Sequence, residues 1–213
     1  DWRKAGRATP SHSVLGLKGL SSSQIGRRGG DLRLIRNPDD VYAQEIEGDG
    51  ATGIVAGHNA YAPSHGLGYI RRIEMSGDGR EIVGEETLAA TNEAEQEAFR
   101  DALARTGLEG IRYAIRFHLH PDVDAVIDLG GSAVSLALKS GEIWVLRYEG
   151  AADLSLEPSV YLEKGRLKPR ASQQVVLSGA ALDYSTRLRW SLAKAQDTPV
   201  GLRDLEFDES RYS

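Results

Sequence analysis

Ile111–His120, the stretch IRYAIRFHLH, alternates almost without a break between apolar and cationic residues. Ile111, Tyr113, Ile115, Phe117 and Leu119 fall on one register and Arg112, Arg116, His118 and His120 on the other, with Ala114 as the single interruption. Side chains of a strand point to opposite faces with period two, so this segment is expected to pack a core on one side and show a positive stripe on the other. Two readings of the stripe stand side by side: a contact for an anionic partner, or the polar outer face that any half-buried sheet carries.

Working outward, the same periodicity recurs. Ala133–Leu138 and Ile143–Tyr148 read as a hairpin across Ser140-Gly141, and Tyr184–Leu192 alternates again. Gln174–Leu177 reads as a short apolar strand stopping at Ser178-Gly179, and earlier strands are expected at 14–17, 32–35, 41–47, 53–56, 69–75 and 81–88. Turn dipeptides, among them Asp49-Gly50, Asp78-Gly79 and Gly130-Gly131, punctuate the series. Ten or more short strands at this spacing predict an all-β chain folded as an antiparallel β-sandwich. One helix interrupts it over about 92–106: Asn92 and Glu95 have capping-box spacing, Phe99 and Leu103 share one side, and Gly107 is a stop. The expected organisation is an N-terminal arm or linker over 1–10, a sandwich over 11–198 with the helix inserted as a surface element, and a C-terminal tail over 199–213.

Composition sets the outer limits. The 213 residues suffice for a full core, no run approaches the roughly 20 apolar residues of a bilayer span, and there is no cysteine, so disulfides and thiolate chemistry are excluded. A net charge of −5 argues against general nucleic-acid binding. The side chains with chemistry to offer are five histidines, His12, His58, His65, His118 and His120. His118 and His120 have the spacing of two ligands on one strand face, but zinc needs a third protein ligand, and Pro121 interrupts the strand before Asp122 and Asp124. Gly57-His58-Asn59-Ala60-Tyr61 brings His58 and Tyr61 together near a turn, where such a pair can act in acid–base chemistry or simply pack. No phosphate-binding loop or nucleophile elbow occurs in a suitable context.

Several stretches, in one order, resemble the C-terminal β domain of the heparinase II/III family of polysaccharide lyases. Arg7–Val14 is similar to the family's Arg-x-Thr-x-x-His-Asn-Thr-Val segment, and Gly57–Tyr61 followed by Gly68–Arg72 to its Ser-His-Asp-Gly-Tyr and arginine-rich strand. Gly84–Leu88, Arg116–Val123, Gln173–Gly179 and Arg189–Leu192 complete the series, covering roughly 2–195. The resemblance implies a domain that follows an N-terminal α-helical toroid in an enzyme cleaving uronate-containing acidic polysaccharides, glycosaminoglycans among them, by β-elimination. It implies that catalytic groups lie upstream, so that this chain alone is inactive. Contact with the acidic polysaccharide would fall to His58, Tyr61, Arg71, Arg72, Arg112, Arg116, His118 and His120. His12 matches a family zinc ligand whose two companions lie upstream; zinc is therefore expected in the full-length protein and no cofactor in this chain alone. Ser13 stands where the family has Asn. The expected partners are the polysaccharide and the toroid, with no nucleic acid, no membrane span and self-association through surface a missing domain would cover; the expected location is periplasmic. The alternatives are a glycan-binding or scaffolding module without chemistry, and a stand-alone metal-dependent hydrolase using His118 and His120.

Overall fold

In the computed structural model, residues 2–29, 31–48, 50–107, 109–165 and 168–195 are described. The expected tail over 199–213 lies outside them. A short helix, α1 (Trp2–Ala5), and a 3-10 turn (Thr9–Ser11) lead into β1 (Leu15–Leu17) and a separate hairpin of β2 (Gln24–Arg28) and β3 (Asp31–Arg36). There follow β4 (Val41–Gly48), β5 (Ala51–Tyr61), the helical turn α2 (Ala62–His65), β6 (Leu67–Ser76), β7 (Glu81–Ala89) and α3 (Glu93–Arg105). The rest is β8 (Ile111–His118), β9 (Asp124–Asp128), β10 (Ala133–Ala137), β11 (Ile143–Glu149), β12 (Asp153–Tyr161), β13 (Arg170–Ala181) and β14 (Ser185–Lys194).

The strands form the expected antiparallel sandwich, with two sheets of unequal width. The wide sheet has the order β4-β5-β6-β7-β14-β11-β10-β9, and the narrow one β1-β8-β13-β12. Ile111, Tyr113 and Ile115 of β8 are buried, joined by Leu15 and Leu17 of β1 and Leu177 and Ala181 of β13, and they pack on Tyr69, Leu88, Leu188 and Trp190 of the wide sheet. Val134, Leu136, Leu146 and Val175 form a second cluster toward β9. Burial of this two-sided apolar set is what holds the sheets face to face.

Two expectations about extent are corrected. The segment read as stopping at Ser178-Gly179 runs on as the twelve-residue β13. Gly179 is there because Tyr113 of the neighbouring strand crosses it, its hydroxyl 2.5 Å from where a Cβ would sit. The 53–56 strand is likewise the eleven-residue β5, which ends in a register shift between His58 and Tyr61. Strands β2, β9 and β12 were not anticipated. β12 carries Pro158, which a strand tolerates at a sheet edge, where β12 lies. The helix forms as expected: Asn92 Oδ1 accepts from the Glu95 amide at 3.0 Å, while the Glu95 carboxylate reaches back to the Thr91 amide at 2.6 Å. Among the described residues no helix is long and apolar enough to cross a membrane.

Candidate functional site

The side chains singled out in the sequence fall in three places. The first is a buried polar hub on the inner face of the wide sheet. Cross-strand register sets Arg71 of β6 opposite Glu86 of β7, and Trp190 of β14 opposite Gly84 of β7. Glu86 is 1% exposed. It accepts from the Tyr69 hydroxyl at 2.5 Å, from Arg71 Nε at 2.8 and 3.0 Å and from Trp190 Nε1 at 3.0 Å. Arg71 also donates through Nη1 to the Ser13 carbonyl at 2.6 Å. A buried carboxylate is tolerable only when paired and hydrogen-bonded to this extent. Burial, and then the negative charge of Glu86, push the Tyr69 hydroxyl pKa well above its ordinary value. His58 sits beside the hub, edge-on to Tyr61 (centroids 5.4 Å apart) and to Tyr69 (5.2 Å). Its Nδ1 accepts from the Ala60 amide at 3.2 Å, and burial lowers its pKa. Burial also pushes the Tyr61 hydroxyl up to about 12. Burial thus favours the uncharged form of both side chains.

The second place is the outward face of the narrow sheet, where the Arg112–Arg116–His118 stripe emerges. Arg112 is exposed, but Arg116 and His118 are half-buried, because the N-terminal segment lies over this part of the sheet. His118 Nε2 is 3.0 Å from the Pro10 carbonyl, and its Nδ1 is 2.8 Å from Ser159 Oγ of β12. Its amide donates to Ser13 Oγ at 3.0 Å, and the Arg116 amide donates to the Val14 carbonyl at 3.2 Å. Val176, on the outward register of β13 opposite Arg116, is only 2% exposed. Thr9 is 7% exposed and binds the chain ahead of the hairpin: Ser22 donates its amide to Thr9 Oγ1 at 2.9 Å, and the Thr9 amide donates to Ser21 Oγ at 3.2 Å. Burial lowers the His118 pKa, and the nearby positive potential of Arg116 and His12 lowers it further. Arg116 and His118 share one face of β8, and the Pro10 and Ser13 contacts bring the intervening N-terminal segment, with His12, against it.

His120 stands apart from His118. The strand ends at His118, and the exposed His120 ring packs on Tyr161 (4.8 Å) while its Nδ1 accepts from the Asp122 amide at 3.2 Å. Asp122 is itself bound by Arg170 at 2.7 Å and Lys139 at 3.0 Å. Among the described residues no three His, Asp or Glu side chains converge as metal ligands would. The described residues therefore bring together no zinc ligand set, and His12 offers a single imidazole.

The third place is a groove of 680 Å³ on the outer face of the wide sheet, where Arg72 lies. Cross-strand register lines up Arg72, Glu85, Arg189 and Glu149 across β6, β7, β14 and β11. Glu85 pairs with Arg189 at 2.8 Å and Arg187 at 3.3 Å, and Arg72 with Glu74 at 2.5 Å. Alternating charge of this kind satisfies itself. Arg71 and Arg72, adjacent in sequence, thus serve opposite faces of one sheet.

Glu86 and Trp190, the centre of the hub, carried no role in the sequence reading. The available signal was a carboxylate on the register Ile82, Gly84, Glu86, Leu88, which is otherwise apolar or glycine. Thr9 and Ser159, which hold the N-terminal segment, gave none.

Comparison with known proteins follows the same lines. The family model described as "Heparinase II/III-like, C-terminal" matches residues 1–191. FtsZ-localized protein C of Caulobacter vibrioides is 33% identical over 135 residues, which are 62% of this chain and 21% of that protein. The structure is similar to heparan sulfate lyase HepC of Pedobacter heparinus, with a TM-score of 0.67 and 11% identity over 93% of this chain and 26% of the lyase. It is also similar to a heparinase III, with a TM-score of 0.62 and 10% identity over 90% of this chain and 25% of that one. At such identities the two structures attest to the fold. The chain spans about a fifth to a quarter of the length of these relatives. Matched over nearly its whole length by the family model and sharing the fold of the lyases' corresponding part, the chain belongs to the heparinase II/III-like C-terminal domain family.

Proposed function

We propose that this domain serves a lyase that cleaves a uronate-containing acidic polysaccharide by β-elimination, with the proton-transfer groups supplied by a helical domain elsewhere in the protein. The observation that carries the reading is the grouping of His12, Arg116 and His118, with the exposed Arg112 beside them, on one outward face. In β-elimination the carboxylate next to the departing proton must have its charge neutralised, and fixed guanidinium groups meet that need through bidentate hydrogen bonds. That one structural relative is a heparan sulfate lyase supports an anionic glycan as substrate. His58 and Tyr61, half-buried or buried beside the hub, are structural in this reading. His12 would give its imidazole to a zinc site completed by residues outside this chain.

The test is a lyase assay on the whole protein with heparan sulfate, alginate and a bacterial exopolysaccharide, following the ultraviolet absorbance of the 4,5-unsaturated uronate product. Arg116→Ala is expected to lower kcat/KM by about ten- to a hundredfold, as loss of a charge-assisted contact does. No product from any of the three would sink the reading.

The 33% identity to FtsZ-localized protein C favours a second one: a glycan-binding or scaffolding module without chemistry, localised with FtsZ. Cell fractionation separates the two. Recovery in the periplasm fits an exported lyase, and co-localisation with FtsZ fits the scaffold.

A further inference from the structure

Among the described residues the β2–β3 hairpin belongs to neither sheet of the sandwich, and its strands pair only with each other. Over Gln24–Arg36 it holds Arg27, Arg28, Arg33 and Arg36 against Asp31, a net charge of +3 on a chain whose total is −5. Arg27, Arg33 and Arg36 are exposed, and Arg27 and Arg36 make no ion pair among the described residues. Leu34 and Ile35 beside them are 59% and 58% exposed.

Both feet of this arm are fixed. At the entry, Ser21 and Ser22 are bound to the buried Thr9, one residue before the Pro10 carbonyl that contacts His118. At the exit, Asn59 Oδ1 accepts from the amides of Asp39 and Asp40, each at 3.1 Å, and the Asn59 amide returns to the Asp40 carbonyl at 3.2 Å. The Thr9 clasp roots the arm at the very segment that carries His12 and that meets His118 through the Pro10 carbonyl.

We propose that this hairpin is an exosite that grips the acidic polysaccharide at a distance from the reacting uronate. The inference rests on the lyase reading for the class of polymer and on the hairpin itself for the place. Carboxylates and sulfates repeated along a chain are what closely spaced guanidinium groups bind. A linear polyanion long enough to lie across both surfaces gains avidity from the second contact. Acidic character elsewhere on the protein leaves this arm as the local attractor for such a chain.

The experiment measures binding of the whole protein to heparan sulfate fragments, by titration calorimetry at several salt concentrations, for the wild type and for Arg27→Gln/Arg33→Gln/Arg36→Gln. The expected result is an affinity reduced about tenfold or more at low salt, with a log–log salt slope shallower by about two to three, one for each counterion-releasing contact removed. The matching triple Arg→Lys variant should keep the slope. In the lyase assay the Gln variant should raise KM for long chains and leave kcat, and turnover of tetrasaccharides, unchanged. An unaltered slope in a folded Gln variant would overturn the exosite. So would tighter wild-type binding to duplex DNA or to anionic phospholipid vesicles than to the glycan, because the arm would then serve that partner. Arginine-dependent glycan binding without any lyase product would retain the exosite and reject the lyase reading, which keeps the two failures apart.

Discussion

Replacing Glu86 by alanine would leave the Arg71 guanidinium partly buried without its carboxylate, and the Tyr69 hydroxyl and Trp190 indole without their acceptor. Breaking a buried pair from one side costs about 3–5 kcal/mol, and that loss is expected in denaturant unfolding of Glu86→Ala. A variant as stable as the wild type would show that water reaches the hub. At the same scale, His58, His65 and His118 all have lowered pKa values, burial being the largest cause in each. The unfolded chain therefore binds more protons than the folded one just below the ordinary histidine pKa, so stability rises with pH there. It is complete above about pH 6.5 and is lost as pH falls through the lowered values. Thermal melts between pH 7.5 and 5 should show this decline, and His118→Asn should flatten it; an identical pH dependence in that variant would remove His118 from the account. The alternation of residues 111–120 made His118 and Arg116 legible as outward-facing. What covers them was not legible, because Pro10 and Ser159 are brought to His118 across separations of 108 and 41 residues.

Among the elements, β7 and β14 meet at a point that allows no side chain. A Cβ on Gly84 would run into the Trp190 indole, which lies directly across the glycine. Gly84→Ala must displace that ring, and a cost of about 1–3 kcal/mol is expected, with a changed tryptophan near-ultraviolet circular dichroism signal. An unchanged signal at unchanged stability would mean the indole packs elsewhere. The strands with clean period-two patterns, β8, β10, β11 and β14, could be read directly from sequence, as could α3 from its cap. β12 could not, because Glu157-Pro158 breaks the pattern on an edge strand where the ladder does not need the missing amide. The hairpin of β2 and β3 escaped as half a motif: its second strand was anticipated, but the glycine and paired arginines of β2 look like loop when no cross-strand partner is in view.

For the whole molecule, the wide sheet is twice the strand count of the narrow one, and its β4 flank extends past the cover. Val41 is 67% and Ile54 40% exposed, on the register that faces inward nearer the centre. With β4 an open edge, this flank supports the proposal of self-association. Sedimentation over a concentration series should show it, weakened by Val41→Lys; a monomer at the highest concentration would reject it. The fold class was legible because a two-sheet core imposes alternation on each strand. The order of strands was not, since alternation does not say which strand neighbours which. That order has a bearing on biosynthesis. β14, the last described strand, sits in the middle of the wide sheet, between β7 and β11. On the ribosome, β4–β7 and β9–β11 must therefore wait as two separate half-sheets, each with an open edge, until residues 185–194 emerge and join them. A stall or a stop codon before Ser185 would not trim the domain but divide it, leaving two sticky margins where the finished protein has a continuous floor.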